Sequence, residues 1–377
     1  MKTIYLDCAA TTPAYKDVVK EMDKINSEGY GNPSSQHALG EKARRRIDEV
    51  RRKIADDINA RPEEIIFTSG TTESNNLALQ GIIIASKEKK KIIISEIEHP
   101  SVSEVAGFLQ NWGHEVIRVK VDKEGVVDID NLKNILDNNK DKVGLVSVMH
   151  VNNVIGTIQP ISEIGKLCKE QGVIFHTDCA QSFGKLKIDV NEMGIDLLSA
   201  SAHKIGGPKG IGFLYVRNGT KIAPLVHGGG QERGLRSGTE NVAGIVGLGK
   251  ALDIIKKVDK KKIEIVRDKF IASLKNIGGK INGSLIQRIY NIINVSFPGV
   301  DAGSLVQYLS SRGIYVSVGS ACDSKKEKED AVLKALGLSK KERDGSIRIS
   351  IDERVSEKDV EHVIKIIEKG VKGLMLN

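Results

Sequence analysis

Phe67-Thr-Ser-Gly70-Thr71-Thr72-Glu73-Ser-Asn-Asn76 is the junction on which the fold reading turns. An apolar run, Glu64–Thr68, ends in it, and an amphipathic pattern, Glu73–Ser86, begins. Thr71 or Thr72 can cap that helix, and the unpaired N–H groups of its first turn suit a phosphate dianion. The same alternation recurs outward along the chain. Further strands are expected at Lys91–Ser95, Glu115–Lys120, Val143–Val148, Val173–Thr177, Leu197–Ala200 and Gly212–Val216. Helices are expected at Ser101–Asn111, Asp130–Asn138 and Ser162–Glu170. Strands separated by helices of this length imply βαβ units and a mainly parallel sheet covered on both faces.

Past about residue 240 the pattern changes. One long helical stretch, dense in Lys, Asp and Ile, is expected from Asn241 to about Asn276. Strands at Ile289–Ser296, Ile314–Val318 and Ser346–Ile351 follow, with helices at Ala302–Arg312 and Ser356–Lys372. This reads as a smaller α+β domain joined by a linking helix, and 377 residues suffice for two cores.

Hydrophobic content of 40% and charged content of 28% are those of an ordinary globular protein. No stretch approaches the roughly 20 apolar residues of a membrane span. The N-terminus lacks the apolar core of a signal peptide, so a cytoplasmic location is expected. The net charge is +8, but the lysines are scattered and aromatics make up only 4%, so direct nucleic-acid binding is not expected. The four cysteines, Cys8, Cys168, Cys179 and Cys322, show no zinc-type spacing. Gly244–Ala251 approaches a phosphate-binding loop but lacks its hydroxyl. His227-Gly-Gly-Gly230 resembles an esterase loop in a chain without a nucleophile elbow.

The strand ends carry the chemistry. Ser199-Ala-Ser201-Ala-His203-Lys204-Ile-Gly-Gly-Pro-Lys-Gly210 sets a lysine beside a serine, a histidine and a glycine-rich turn. That suits a Schiff base to the aldehyde of pyridoxal phosphate, with the polar neighbours receiving the phosphate. Asp178, closing Val173-Ile-Phe-His-Thr-Asp178, can pair with the cofactor's pyridine nitrogen, and Gln181 can donate to its phenolic oxygen. His99, fixed by Pro100, can stack on the ring and move protons. His150-Val-Asn152-Asn153 adds amides at a further strand end, where ligands bind in open α/β sheets.

With these residues together, the chain resembles the cysteine desulfurases, class V aminotransferase-fold enzymes of the NifS/IscS type. The likeness runs nearly full length. It includes Tyr5-Leu-Asp-Cys-Ala-Ala-Thr-Thr-Pro13, Gly31-Asn32-Pro-Ser-Ser35, the Thr71–Asn76 turn, His150-Val-Asn-Asn153 and Ser201-Ala-His-Lys204. It continues through Gly228-Gly-Gly-Gln-Glu-Arg-Gly-Leu-Arg-Ser-Gly-Thr239 and Gly319-Ser-Ala-Cys322. The resemblance implies a pyridoxal phosphate-dependent transferase of fold type I. Its larger α/β domain, with a mainly parallel seven-stranded sheet, would span 15–250; residues 1–14 and 251–377 would form the smaller α+β domain.

It also implies the roles of residues. Lys204 would be the Schiff-base lysine, Asp178 and Gln181 the ring partners and His99 the stacking acid/base. Thr71, Thr72, Ser201 and His203 would hold the phosphate, joined by Thr239 of a second subunit in a homodimer. Asn153 would contact both cofactor and substrate carboxylate, and Arg348 and Asn32 would also bind substrate, the Arg348 fork matching its carboxylate. Cys322, in a small-residue loop followed by dense charge, would be the thiolate that takes sulfur from L-cysteine as a persulfide, leaving L-alanine. Asp323 and the Lys/Glu run after it depart from the family's less charged stretch, which bears on loop mobility and choice of partner. The implied acceptor is an iron–sulfur scaffold or a tRNA-thiolation enzyme. No metal is expected in the chain itself, beyond transient contact of Cys322 with a partner's cluster. Selenocysteine lyase or another class V reaction is the alternative, and a non-catalytic sulfur-trafficking protein is a third.

Overall fold

The computed structural model describes residues 3–86, 88, 90–319 and 330–375. A short strand β1 (Ile4–Tyr5) leads into helices α1 (Lys16–Glu28) and α2 (Ala38–Asp57). Seven strands then form the large sheet: β2 (Ile65–Thr68), β3 (Lys91–Ser95), β4 (Val116–Val119), β5 (Val143–Ser147), β6 (Ile174–Asp178), β7 (Leu197–Ser201) and β8 (Gly212–Val216). Between them lie α3 (Thr71–Ser86), α4 (Pro100–Asn111), α5 (Ile129–Asn138) and α6 (Ile161–Glu170). The spatial order is β2-β8-β7-β6-β5-β3-β4, and β8 alone runs against its neighbours.

Period-two alternation explains why this sheet is covered on both faces. Ile65, Phe67, Ile93, Val146, Leu198, Phe213 and Tyr215 join one core with α2, α5 and α6. Their neighbours Ile66, Ile92, Ile94, Leu145, Leu197 and Leu214 face the other way, against Leu77, Ile82 and Ile83 of α3 and Val102, Val105 and Leu109 of α4. Inside the sheet, His176 bridges Ser147 Oγ (2.8 Å) and Ser199 Oγ (3.0 Å) across three strands. Its burial lowers the imidazole to about 3, so it stays neutral.

Two helices, α7 (Val242–Ile255) and α8 (Lys260–Asn276), replace the single long one expected. Asp259 makes the break, accepting from the N–H groups of Lys261 and Lys262 as the cap of α8. Residue 250 lies inside α7, whose Ala251, Leu252 and Ile255 still pack in the larger core. The chain continues with β9 (Lys280–Asn282), β10 (Ile292–Ser296), α9 (Ala302–Ser310), β11 (Ile314–Tyr315) and β12 (Ser317–Val318). After these come α10 (Asp330–Ala335), α11 (Lys340–Asp344), β13 (Ser346–Ser350) and α12 (Glu357–Leu374). The single strand expected over 314–318 divides at Val316: β11 pairs with β1, whereas β12 joins an antiparallel sheet of order β12-β13-β10-β9. That sheet packs on α8, α9 and α12 around Phe270, Leu305, Leu309, Val363 and Ile367. Among the described residues no helix is long and apolar enough to cross a membrane.

One close approach ties this fold to its binding edge. A Cβ on Gly212 of β8 would collide with Ala200 O and lie 2.7 Å from Gly70 Cα in the turn after β2. Backbone on both sides cannot yield cheaply, so Gly212→Ala is expected to destabilise the protein by about 1–3 kcal/mol. The shift is read from the urea midpoint at unchanged m-value. A midpoint equal to that of the unmodified protein would show that the turn after β2 is not locked against β8.

Candidate active site

Because six of the seven strands share a direction, the segments leaving β2, β3, β5, β6 and β7 emerge on one edge of the sheet. They surround a cavity of about 580 Å³, closed on another side by Ala9–Thr11 and by Arg348 of β13. Of the residues singled out in the sequence, Thr71, Thr72, His99, Asn153 and Asp178 line it, as do Gln181, Ser201, His203, Lys204 and Arg348. Asn32, in the exposed turn between α1 and α2, and Thr239, exposed between β8 and α7, do not line it. Cys322 lies outside the described residues. The chain flanking it is close to the site: β12 pairs with β13 beside Arg348, and Val332 of α10 lines the cavity.

Lys204 ends a 3-10 turn that directly follows β7. Its Nζ donates to the carbonyls of Ala9 and Ala10 at 2.7 Å each. Those carbonyls carry no formal charge, so burial dominates and lowers the amine to about 7. The positive charges of Arg348 and Lys185 push the same way, against the carboxylates of Asp178 and Asp7. Half of the Lys204 amine is therefore neutral near pH 7.

Asp178 is the end of β6 and is buried. Its Oδ1 accepts from Ala180 N (2.9 Å) and its Oδ2 from Asn75 Nδ2 (2.8 Å). Asn75 gives its second amide proton to Ser101 Oγ (2.8 Å), which leaves Asn75 Oδ1 without a partner among the described residues. His99 Nδ1 accepts from Ser101 N (3.1 Å) and lies 2.8 Å from Ser101 Oγ. A nitrogen that accepts a backbone N–H carries no proton, so Ser101 Oγ donates to it as well and the imidazole proton is assigned to Nε2. Asp178, Asn75, Ser101 and His99 thus form one hydrogen-bonded chain. Burial lowers the His99 imidazole; Asp178 opposes this, and Lys204 and Arg348 add to it. His203, 3.1 Å from Thr11 Oγ1 through Nδ1, is lowered to about 4 by burial and then by Lys204 and other lysines.

Glu98 is a wall of the cavity that the sequence reading passed over. Its Oε1 accepts from Ser95 Oγ (2.5 Å) and Met149 N (2.9 Å), while Oε2 has no partner among the described residues. Burial, reinforced by Asp178, raises it to about 8, so it is mainly a neutral acid at pH 7. The available signal was a carboxylate adjoining the candidate histidine at a strand end. Asn75 and Ser101 were also passed over, although both lie inside stretches already quoted.

Arg348 donates to Asn153 O (3.0 Å), Asp7 Oδ1 (2.9 Å) and Ser317 Oγ (3.3 Å), and its buried Nε has no partner among the described residues. Thr71 Oγ1 is likewise buried and without a partner. It stands in the first turn of α3, whose initial N–H groups have no intrahelical acceptor. Below it, Gly70 leaves an opening in which a Cβ would meet only Ser201 Oγ, at 3.6 Å. These donors fit the anionic end of pyridoxal phosphate, Asp178 fits its ring nitrogen and the Lys204 amine fits its aldehyde. The three described thiols fit a nucleophile poorly. Cys8, Cys168 and Cys179 are all buried, and burial pushes each thiol up, Cys179 to about 12.

The likeness to known proteins is extensive. The model of the aminotransferase class V family matches residues 4–363. The cysteine desulfurase IscS of Dictyoglomus turgidum is 45% identical over 379 residues, covering 99% of this chain and 95% of its own. A solved NifS-like protein superposes with a TM-score of 0.92 at 37% identity, over 99% of this chain and 100% of its own. A structure described as SspA in complex with cysteine gives a TM-score of 0.82 at 37% identity, over 93% of this chain and 99% of its own. The shared framework, carrying this set of side chains in one cavity, makes the chain a member of the class V aminotransferase family and, within it, of the cysteine desulfurases of the IscS type.

Proposed function

We propose that this desulfurase holds pyridoxal phosphate in its cavity through Lys204 and passes the sulfur of L-cysteine to Cys322 as a persulfide. The observation that carries the reading is that Lys204, Asp178 and Arg348 face one cavity from three different elements. Family membership implies dependence on the cofactor, which when bound supplies an electron sink for charge developing at the substrate Cα. Asp178, its orientation set by Asn75 and Ala180 N, pairs with the ring nitrogen, and Gln181 donates to the phenolic oxygen. Thr71, Thr72, Ser201 and His203 take the phosphate. In a homodimer, Thr239 would reach the partner's site, and Asn32 is assigned to substrate binding.

Arg348 and Asn153 hold the substrate carboxylate, which fixes where Cα lies relative to Lys204. Neutral Lys204 removes the Cα proton. The Cys322 thiolate then attacks the substrate sulfur: an S–S bond forms, the Cβ–S bond breaks and its electron pair stays with the carbon skeleton. Lys204 and the Nε2 proton of His99 return protons to carbon, giving L-alanine. The sum is cysteine plus thiol to alanine plus persulfide, which needs no external oxidant or reductant. The buried state of Cys8, Cys168 and Cys179 supports assigning the nucleophile to Cys322. The persulfide would pass to an acceptor protein for iron–sulfur assembly or tRNA thiolation, in a cytoplasmic setting that keeps thiols reduced.

Lys204→Ala is expected to abolish the near-visible absorbance of the lysine-linked cofactor together with alanine formation. Cys322→Ala should keep that absorbance and lose alanine formation from cysteine; normal alanine yield from this variant would remove Cys322 from the reaction. Uptake of the cofactor by apoprotein gives a pH test. The attacking species is the neutral amine, and Lys204 is lowered to about 7. Its rate should rise about tenfold per pH unit below 7 and level above it. Stopped-flow absorbance that keeps rising toward pH 10 would contradict this.

A further inference from the structure

Among the described residues, Lys185 is the one buried ammonium that the reaction above leaves without a task. Its side chain is 3% exposed, and among the described residues it forms no ion pair. Its Nζ donates a long hydrogen bond, 3.4 Å, to Gln181 Oε1. The nearby carboxylate of Asp352 is engaged by the Arg354 guanidinium and the Cys8 thiol. A buried cation without a paired anion is costly, and such groups are normally neutralised or partnered. Lys185 also stands directly behind the site: it and Lys204 wall the same small internal space of about 20 Å³.

Hydrogen-bond chemistry gives this placement a consequence. A lysine has donors only, so it must face the oxygen of the Gln181 amide. The Gln181 nitrogen is thereby turned the other way, where it donates to Ala9 O at 2.9 Å. The same oxygen accepts from Lys204 Nζ at 2.7 Å. Lys185, Gln181, Ala9 and Lys204 therefore form one hydrogen-bonded chain, and Gln181 lines the cavity.

We infer that Lys185 is a positioning residue, which orients the Gln181 donor toward the cofactor and whose charge disfavours a second ammonium at Lys204. The inference rests on the reading of Lys204 as the cofactor-bearing lysine. The other charges around the pair are accounted for. Lys204 faces Arg348 of β13, Asp178 of β6, Asp7 of the N-terminal segment, and the imidazoles of His99 and His203, both of which burial lowers. Lys185 faces Cys8, Asp352 and Lys260 of α8. Tyr15, Tyr290, Glu353 and Arg354 are the remaining titratable groups that line the shared space. Burial lowers Lys185 to about 8, which leaves it mostly protonated at pH 7 and able to act on its neighbour.

The test compares K185M and K185Q in the holoenzyme by pH titration of the cofactor absorbance. Both remove the charge, so both should raise the midpoint by about one pH unit, a tenfold change in the protonation equilibrium. K185Q keeps a donor for Gln181 Oε1 and K185M does not, so K185M should lose cofactor on dialysis several-fold faster. A buried lysine with a merely structural role would move neither reading in this pattern. Unmoved midpoints in both variants overturn the charge assignment, and equal cofactor retention in the two overturns the orienting assignment. Unmodified protein that shows no lysine-linked absorbance at all would instead sink the reading on which the inference stands.

Discussion

Ala9 and Ala10 turn their carbonyl oxygens to the Lys204 amine, and much of the structure follows from holding that short segment in place. It enters from β1, which pairs with β11. Ala9 N donates to Ser350 Oγ on β13, and the Asp7 carboxylate accepts from Arg348. On the large-sheet side, Thr12 N donates to His203 O and Thr12 Oγ1 accepts from Gly206 N. The segment is thus bonded to both sheets at once, with the lysine between them. Neutral carbonyls can hold an amine in either protonation state, which a carboxylate partner could not do without fixing it as an ammonium.

The electrostatics of the cavity follow from that choice. Three basic groups, Lys204, Lys185 and Arg348, crowd a buried region in which Asp178 and Asp7 are the opposing carboxylates acting on Lys204. Glu98, the further carboxyl in the wall, is raised by burial toward its neutral form. Two N–H donors, Asn75 Nδ2 and Ala180 N, reach the Asp178 carboxylate. An acid kept neutral and a lysine brought near pH 7 owe their states to local burial and neighbouring charges, not to residue type. The chain from Asp178 through Asn75 and Ser101 to His99 extends this control to the imidazole, since it assigns the proton to Nε2.

The large sheet was legible because its strands are short apolar runs bounded by polar or glycine turns. Lys91–Ser95 and Gly212–Val216 come out at the same limits in sequence and structure, and Glu64–Thr68 differs by one residue. The helices α1 and α2 were not among the expected elements. In α2 the inward positions Ala43, Ile47, Val50 and Ile54 are outnumbered by Arg, Lys, Asp and Glu, so the stripe is narrow. Asp259 falls inside the single long helix expected from Asn241 to about Asn276, yet it caps a second helix, a difference that depends on backbone angles rather than composition. The division at Val316 is of the same kind, because two sheets compete for one apolar run.

Residue chemistry and spacing by themselves determined the α/β class and singled out most of the strand-end groups that line the cavity. Those features are local: a capped turn, a lysine before glycines and an aspartate closing an apolar strand each carry their meaning within a few residues. Only the tertiary structure decided what state those groups adopt. Burial, and charges arriving from distant elements, set the Lys204 amine near pH 7 and left Glu98 neutral. Lys185 gained its place behind Gln181 for the same reason. A buried ammonium is recognisable only when the groups packed around it are known, because desolvation and Coulomb interactions depend on distance in space and not on separation along the chain.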